Sequence, residues 1–332
     1  MFVLAHLSDT HIPLEGRIKT FELLSKRAIG YVNWLRGRNR VHRGDIARAL
    51  LEDLQEQSPD HIAMTGDLVN VGAHREWQPA RDYMQLLGDP EHVSAVPGNH
   101  DAYVGGALSG MRDTYRPYTS LDDMRIGAES AHLPSAGEIR KLQDEDGFPY
   151  LRKRGELAII GVSTAVPTAP FMSTGKIGKK QLAGLEKLME ILCHERLYRV
   201  VLIHHPPLRE LAEGRRGLTD AKAFGKIIAA YGADLILHGH NHTSTLEVMR
   251  GRNGPVPVVG VPSASARRTS RKPPAGYALY KIEGQPGGRR VTFVRRGLSP
   301  DYQEGDEPKF IELTRQPLHP TTAQLATGQF AT

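Results

Sequence analysis

The stretch LILHGHNHT, from Leu235 to Thr243, decides the fold prediction, because an apolar run of strand length leads directly into three histidines. His238, His240 and His242 lie two residues apart, and residues i and i+2 of an extended chain point to the same side. We therefore predict that His240 and His242 aim into one site just beyond the end of a buried strand.

Outward from this stretch, apolar runs of strand length alternate with helical patterns along most of the chain. The runs are residues 2–7, 61–64, 93–96, 157–162, 200–203 and 235–237, and the helical candidates are residues 44–57, 76–87, 179–192 and 221–231. Such alternation predicts an α/β fold. Beyond residue 243, shorter strands at residues 245–249, 256–261, 277–282 and 291–295 are separated by glycine and proline and predict hairpins.

Residues of the kinds that bind metals follow five of the predicted strands. In chain order they are Asp9 and His11, Gly66-Asp67, Gly98-Asn99-His100-Asp101, His204-His205, and His240 with His242. Ligands gather outside the carboxyl ends of strands in α/β sheets, so we expect the five loops to converge. Asp9 and His11 have the same i, i+2 spacing as the two histidines, which predicts that they also share a face.

The donor types at these strand ends favour a pair of transition-metal ions. Carboxylates, imidazoles and one amide suit Mn, Fe or Zn better than Ca or Mg held only by oxygen. Each motif alone is typical of an ordinary turn or a solvated loop, but here all five follow a strand. We predict a dinuclear site for two divalent ions, Mn or Fe in the first place, with Zn as an alternative.

Composition excludes several other classes of protein. The 332 residues are 39% hydrophobic and 24% charged, as in ordinary globular chains, and no segment reaches the roughly 18 apolar residues of a membrane span. The single Cys193 excludes an internal disulfide and a cysteine-based zinc site and indicates a cytoplasmic location. The segment from Met1 to Leu7 lacks a basic leader and is interpreted as a strand rather than a signal peptide. The net charge of +6 suits phosphate-bearing ligands, but it is too small to indicate nucleic-acid binding, so no specific nucleic acid is expected.

The five blocks resemble, in the same order, the signature blocks of the calcineurin-like metallophosphoesterases. The resemblance spans about residues 2–243 and implies a four-layer αββα sandwich, in which two facing mixed β-sheets are flanked by helices. The later hairpins would belong to the second sheet. We therefore predict one metallophosphoesterase domain at residues 1–298, with a basic helical insertion at about residues 17–43, and a poorly structured C-terminal tail at residues 299–332.

The resemblance also implies a role for each block. One ion would be held by Asp9, His11 and His242, the second by Asn99, His204 and His240, and Asp67 would bridge both. His204 fits the family's histidine better than His205 does, and His238 is expected to make a structural hydrogen bond. Asn99 and His100 would contact the substrate phosphate, with His100 protonating the leaving oxygen as general acid.

The second block departs from some branches of that family. Protein Ser/Thr phosphatases read GDxVDRG, whereas residues 66–72 read GDLVNVG. Asn70 could orient His100 through its carbonyl but could not stabilise an imidazolium by charge, and it cannot replace the iron-binding tyrosine of purple acid phosphatases. What remains resembles the bacterial phosphodiesterase branch, including class III cyclic nucleotide phosphodiesterases and glycerophosphodiester hydrolases. That branch implies hydrolysis of a nucleotide-like or small phosphodiester by a hydroxide that bridges the two ions.

Two basic segments bear on the substrate. The segment from Arg17 to Arg43 carries eight lysines and arginines against one acid, Glu22. As a basic amphipathic helix it would rest on an anionic membrane surface, which would suit a lipid-headgroup phosphodiester or pyrophosphate hydrolase peripheral to the inner membrane. The alternative is a helical cap whose aromatic residues pack on the body and whose charges face water.

The second basic segment is residues 266–272, ARRTSRK, in which Arg267 is a candidate to bind a distal phosphate. A phosphomonoesterase and a non-catalytic binding protein are the other interpretations. A binding protein of this family would have lost metal ligands, and none is missing here.

Overall fold

The computed structural model describes residues 1–14, 16–124, 133–212, 214–286 and 288–318. Its strands are β1 (Phe2–Leu7), β2 (His61–Met64), β3 (Val93–Ala95), β4 (Tyr150–Arg154), β5 (Leu157–Val162), β6 (Tyr198–Ile203), β7 (Leu235–His238), β8 (Thr245–Arg250), β9 (Pro255–Gly260), β10 (Gly276–Glu283), β11 (Arg290–Leu298) and β12 (Phe310–Pro317). Its α-helices are α1 (Arg27–Asn33), α2 (Asn39–Val41), α3 (Gly44–Glu56), α4 (Trp77–Leu87), α5 (Leu108–Tyr115), α6 (Ala136–Leu142), α7 (Lys179–Leu192) and α8 (Ala221–Tyr231). A π-helical turn at Trp34–Arg38 joins α1 to α2, and 3-10 turns lie at Thr20–Leu23, His74–Glu76, Gly105–Ala107, Arg116–Thr119, Arg209–Leu211 and Gly214–Arg216.

The strands form two six-stranded mixed sheets, ordered β12-β11-β10-β1-β2-β3 and β4-β5-β6-β7-β9-β8. In the first sheet β1, β2 and β3 are parallel, and in the second β5, β6, β7 and β9 are parallel. Parallel strands end at the same edge of a sheet, so the motif-bearing loops leave each sheet together. A parallel bridge between Ser8 and Ser263 places the end of β1 beside the end of β9 and brings the two edges together.

Apolar packing makes the two sheets the inner layers. Leu4 and Ala63 of the first sheet share a buried cluster with Val200 and Leu235 of the second. The inner strands β5, β6 and β7 are buried along their whole length, which explains why they read as continuous apolar runs. A second cluster packs α3, α4 and α5 on the outside of the first sheet, and a third packs α6, α7 and α8 on the second. The predicted four-layer sandwich is therefore confirmed.

Two expectations about the C-terminal third need correction. The later hairpins do not all belong to the second sheet: β8 and β9 extend that sheet, whereas β10, β11 and β12 extend the first. The expected tail at residues 299–332 is not unstructured at its start, because Phe310–Pro317 pairs with β11 as an edge strand. Residues 319–332 of the expected tail lie outside the described residues. This segment forms a strand although its sequence shows no clear hydrophobic periodicity, because pairing with β11 satisfies its backbone hydrogen-bonding groups.

The basic insertion folds as a helical cap on the body of the protein. Tyr31 and Trp34 stack at 5.8 Å between ring centroids and pack against a small buried cluster that includes Val71 and Tyr103. This packing agrees with the second of the two alternatives for residues 17–43. Among the described residues, no helix combines the length and apolarity that crossing a membrane requires.

Candidate metal centre

The loops that carry the predicted ligands are held in left-handed backbone conformations. Seven described non-glycine residues have positive φ, and five of them are predicted ligands: Asp9 (56°), His11 (43°), Asp67 (58°), His240 (68°) and His242 (52°). The extended backbone assumed for the i, i+2 pairs is therefore wrong, because the side chains converge through tight turns. Left-handed conformations cost non-glycine residues free energy and concentrate at functional sites.

Hydrogen bonds between these loops fix their relative positions. The loop after β1 is tied to the loop after β2, since Asp9 N donates to Gly66 O at 2.8 Å and His11 N donates to Asp67 O at 3.0 Å. The loop after β7 joins them, because His240 N donates to Asp9 Oδ2 at 3.0 Å. Two backbone–backbone bonds and one bond from a backbone N–H to the Asp9 carboxylate thus hold the ends of three strands in one place.

One group of ligand atoms gathers around His11. Its Nε2 lies 3.2 Å from His242 Nε2 and 3.8 Å from Asp67 Oδ2, and His242 Nε2 lies 3.1 Å from Asp9 Oδ1. His11 Nδ1 lies 3.1 Å from Val69 O, and this carbonyl can only accept, so His11 Nε2 carries a lone pair. Imidazole lone pairs and carboxylate oxygens that face one another at these distances are typical of a cation-binding site.

A second group lies on the other side of Asp67. His204 Nε2 is 3.4 Å from Asp67 Oδ2 and 3.2 Å from Asn99 Oδ1, and His240 Nδ1 is 2.8 Å from the same amide oxygen. His204 Nδ1 donates to Thr65 O at 2.6 Å, which fixes the ring. The Asp67 carboxylate therefore lies between two sets of nitrogen and oxygen donors.

The neighbouring histidines have other partners. Both ring nitrogens of His205 are occupied, Nδ1 by Thr164 Oγ1 at 2.7 Å and Nε2 by Ser173 O at 3.0 Å. His238 Nδ1 lies 3.0 Å from Gly239 O. The structure thus brings His204 to the other predicted ligands and turns His205 and His238 away from them.

The electrostatics of the centre suit cation binding. Burial raises the pKa of Asp67, but the nearby His204 and His100 side chains lower it by more. The pKa of Asp67 is therefore well below the usual range. Burial keeps the pKa of His11 and of His240 well below the ordinary value, so both imidazoles are neutral at neutral pH. Burial also lowers the pKa of His204, but the Asp67 carboxylate reverses this and raises it to about 9. An ion would displace that proton, since imidazole binds metals in its neutral form.

Comparison with known families agrees with this geometry. The sequence matches the calcineurin-like phosphoesterase family over residues 2–244, which include all five blocks. The chain belongs to this family. It is a metal-dependent phosphoester hydrolase, and the donor groups described above could hold its metal.

Individual relatives of this phosphoesterase include two phosphodiesterases. A probable cyclic nucleotide phosphodiesterase of Synechococcus is 24% identical over 245 residues, which cover 71% of this chain and 77% of that protein. The glycerophosphodiester phosphodiesterase GpdQ of Enterobacter lignolyticus is 32% identical over 99 residues, 30% of this chain and 29% of GpdQ. A dimetal phosphatase from Danio rerio has a similar fold, with a TM-score of 0.53 at 11% identity over 94% of this chain and 98% of that one.

His100 of the phosphoesterase is held by a different part of Asn70 than expected. Its Nδ1 donates to the backbone carbonyl of Asn70 at 2.5 Å, while the Asn70 side chain donates to Ile12 O. His100 therefore turns its Nε2 lone pair toward the centre. Burial and then the charge of Arg38 lower the pKa of His100 to about 3.

Asp101 organises the phosphoesterase centre without facing it. Its carboxylate accepts from the backbone nitrogens of Asp67, Leu68, Val69 and Gly98 and from the Tyr115 hydroxyl, at 2.7 to 3.2 Å. Sequence reasoning placed Asp101 in a motif but gave it no role. A carboxylate that accepts five hydrogen bonds joins the loop after β2 to the loop after β3.

The insertion contributes two further residues that sequence reasoning missed. His42 is buried with its Nδ1 2.9 Å from Ser265 Oγ. With His11 and His242 it forms one of the three groups, among the described residues, that could hold a cation. Arg38 places its guanidinium beside His11 and His100. Arg267, the arginine predicted to contact substrate, instead donates to Glu304 Oε2 at 2.7 Å on the surface.

Proposed function

We propose that the protein is a dinuclear metal-dependent phosphodiesterase acting on a nucleotide-like or small phosphodiester. The observation that carries this proposal is the position of the Asp67 carboxylate between two groups of donors, 3.8 Å from His11 Nε2 and 3.4 Å from His204 Nε2. We assign one ion to Asp9, His11 and His242, the other to Asn99, His204 and His240, and the bridge to Asp67. We further propose that residues 1–298, together with the edge strand β12, form one domain.

The ligand set would leave the centre positively charged. Two divalent ions would supply an activated water and positive charge for the phosphoryl oxygens. Asp9 and Asp67 bring only two negative charges, since Asn99 ligates without neutralising and the histidines bind as neutral imidazoles. An anionic phosphate is therefore attracted to the centre. Nitrogen and oxygen donors without thiolate suit Mn or Fe, with Zn as an alternative.

The chain's own residues would hold the substrate and place its protons. The Asn70 carbonyl fixes the ring of His100 through Nδ1, so Nε2 is the atom that faces a bound phosphate. To act as the proposed general acid, His100 must first take a proton on Nε2. The diester preference is supported by the cyclic nucleotide and glycerophosphodiester phosphodiesterases among the relatives.

The proposed activity is tested with one preparation in two states. Protein loaded with Mn²⁺ is expected to hydrolyse bis(p-nitrophenyl) phosphate, and the same protein after chelation is expected to lose that activity and regain it with Mn²⁺, because the centre supplies the nucleophile. Release of p-nitrophenol is measured, followed by a screen of cyclic nucleotides, glycerophosphodiesters and monoesters. Faster turnover of p-nitrophenyl phosphate than of every diester would contradict the diester assignment.

A lipid-headgroup diester or pyrophosphate hydrolase is the second candidate, favoured by the surface of the insertion. Phe21 is 69% exposed and Leu24 is 85% exposed, and they lie in the same segment as the exposed basic residues Arg17 and Lys19. Apolar side chains among cations are typical of segments that rest on anionic lipid.

The membrane candidate predicts binding to vesicles that contain phosphatidylglycerol at low salt. Phe21→Ser combined with Leu24→Ser is expected to weaken this binding about 10-fold, because two inserted apolar groups are lost. Leu86→Ser is the matched control, since Leu86 is 63% exposed on α4, away from the insertion. Cosedimentation measures the affinity. Equal binding by both variants, or no binding by the parent protein, would refute the membrane interpretation.

A further inference from the structure

The inner face of the insertion is defined by Arg27, Tyr31, Trp34 and Arg38. Arg27, Tyr31 and Trp34 are spaced four and three residues apart along one side of a helix, and Arg38 follows after a kink at Gly37. At one end, Arg27 donates to Val71 O at 3.2 Å and to Gly72 O at 2.5 Å, on the loop that carries Asp67. In the middle, Tyr31 and Trp34 pack on the body. The remaining member, Arg38, is thereby held over the metal centre.

The Arg38 guanidinium contacts two imidazoles. Its Nη1 lies 3.2 Å from His100 Nε2 and its Nη2 lies 3.5 Å from His11 Nε2. A guanidinium can only donate, so both imidazole nitrogens must present lone pairs. Among the ion pairs of the described residues, none involves Arg38. The carboxylates of Asp67 and Asp9 act on it only from farther away, where they raise its pKa against the larger lowering by burial.

We propose that Arg38 is a substrate-binding residue that donates to a phosphoryl oxygen of the bound ester. This inference rests on the proposed function, because His11 Nε2 is assigned there to an ion and would no longer accept from Arg38. The freed N–H group then faces the centre, where the phosphoryl oxygens would lie. A planar guanidinium with two N–H groups side by side matches two phosphate oxygens, and such charge-assisted hydrogen bonds are among the stronger ones.

Arg38 would also supply a donor beside His100, whose Nε2 offers only a lone pair until it takes up a proton. His100 turns a lone pair toward the centre because its Nδ1 proton is used on Asn70 O. A phosphoryl oxygen there needs hydrogen-bond donors, and Arg38 Nη1 is already aligned with His100 Nε2. The insertion therefore completes the phosphate site in addition to covering it.

The test compares Arg38→Ala with Arg36→Ala, a matched control, since Arg36 lies two residues away in the same turn and is exposed. Isothermal titration of Mn²⁺-loaded protein with inorganic phosphate measures binding without turnover, and Arg38→Ala is expected to weaken it about 10-fold. For bis(p-nitrophenyl) phosphate, kcat is expected to fall about 10²-fold, as when one donor to a developing charge is removed. Added guanidinium is expected to restore part of the activity of Arg38→Ala and none in Arg36→Ala.

Several outcomes would overturn the inference. Equal phosphate affinity in the two variants would mean that Arg38 does not bind phosphate directly and only adds positive charge near the centre. Loss of manganese from Arg38→Ala, measured by atomic emission, would make Arg38 a support of the ion site instead. Absence of phosphate binding by the parent protein would also overturn it. If the parent protein binds phosphate and Arg38→Ala does not, the inference stands even if no ester is hydrolysed, and the proposed function alone fails.

Discussion

Asp67→Ala is expected to reduce the hydrolysis of bis(p-nitrophenyl) phosphate by Mn²⁺-loaded protein at least about 10⁴-fold. Its carboxylate is the group that both donor sets share, so its loss removes a ligand from each ion and one of the two negative charges that hold them. Asp67 Oδ1 also accepts from His100 N at 2.7 Å, and this bond is lost as well. Metal content is expected to fall below two ions per chain, as measured by atomic emission.

A change of the same kind on the surface serves as control for Asp67→Ala. Asp82 is exposed on α4 and is not one of the predicted ligands, so Asp82→Ala is expected to keep full activity and metal content. Circular dichroism checks that both variants fold. Full turnover by folded Asp67→Ala would refute the assignment of Asp67 as the bridging ligand, and with it the proposed metal centre.

Gly98→Ala is expected to reduce the same activity about 10³-fold although residue 98 offers no ligand. A Cβ at this position would lie 2.6 Å from Asp67 N and would overlap Asp67 Oδ1. Rotation of the Asp67 side chain cannot relieve this clash, because one of the contacted atoms belongs to the backbone. The bridging carboxylate must move, and a shift of about 1 Å at a catalytic centre costs about 10²-fold even for a single group. Here both ions depend on the group that moves.

The free energy of unfolding of Gly98→Ala is expected to fall by about 3 kcal/mol, because overpacking forces backbone shifts. Gly105→Ala is the matched control, since an added Cβ there meets no atom within 4 Å. Urea unfolding and turnover are measured for both. Near-normal activity in Gly98→Ala would contradict the close approach of the loops after β2 and β3.

The order of apolar runs predicted the architecture because buried parallel strands must be apolar along their whole length. Leu235 to Leu237 read as a strand and is one, and the residues that follow each motif-bearing strand do meet at one edge. The late hairpins were harder to place. Short strands of similar composition pair in either sheet, and only long-range register assigns β10 to β1 and β9 to β7.

The roles of individual donors required coordinates. His204 and His205 are adjacent and chemically identical, and what separates them is that Thr164 and Ser173 occupy both nitrogens of His205. Arg38 was only one of eight cations in the insertion, and the sequence analysis named Arg267 instead as a phosphate ligand. The segment from Arg27 to Arg38 folds as a helix and a π-helical turn with a kink at Gly37, and no local signal indicated which side of it the body would cover.

The sequence by itself determined the alternation of strands and helices and the place of the candidate donor residues at strand ends, because these follow from local patterns of polarity along the chain. The tertiary structure decided how the donors meet: through left-handed turns at five of them, cross-loop hydrogen bonds, the Asp101 carboxylate, and a cap that brings Arg38 to His11 and His100. These features join residues far apart in sequence, so their free energies depend on contacts that no local pattern encodes.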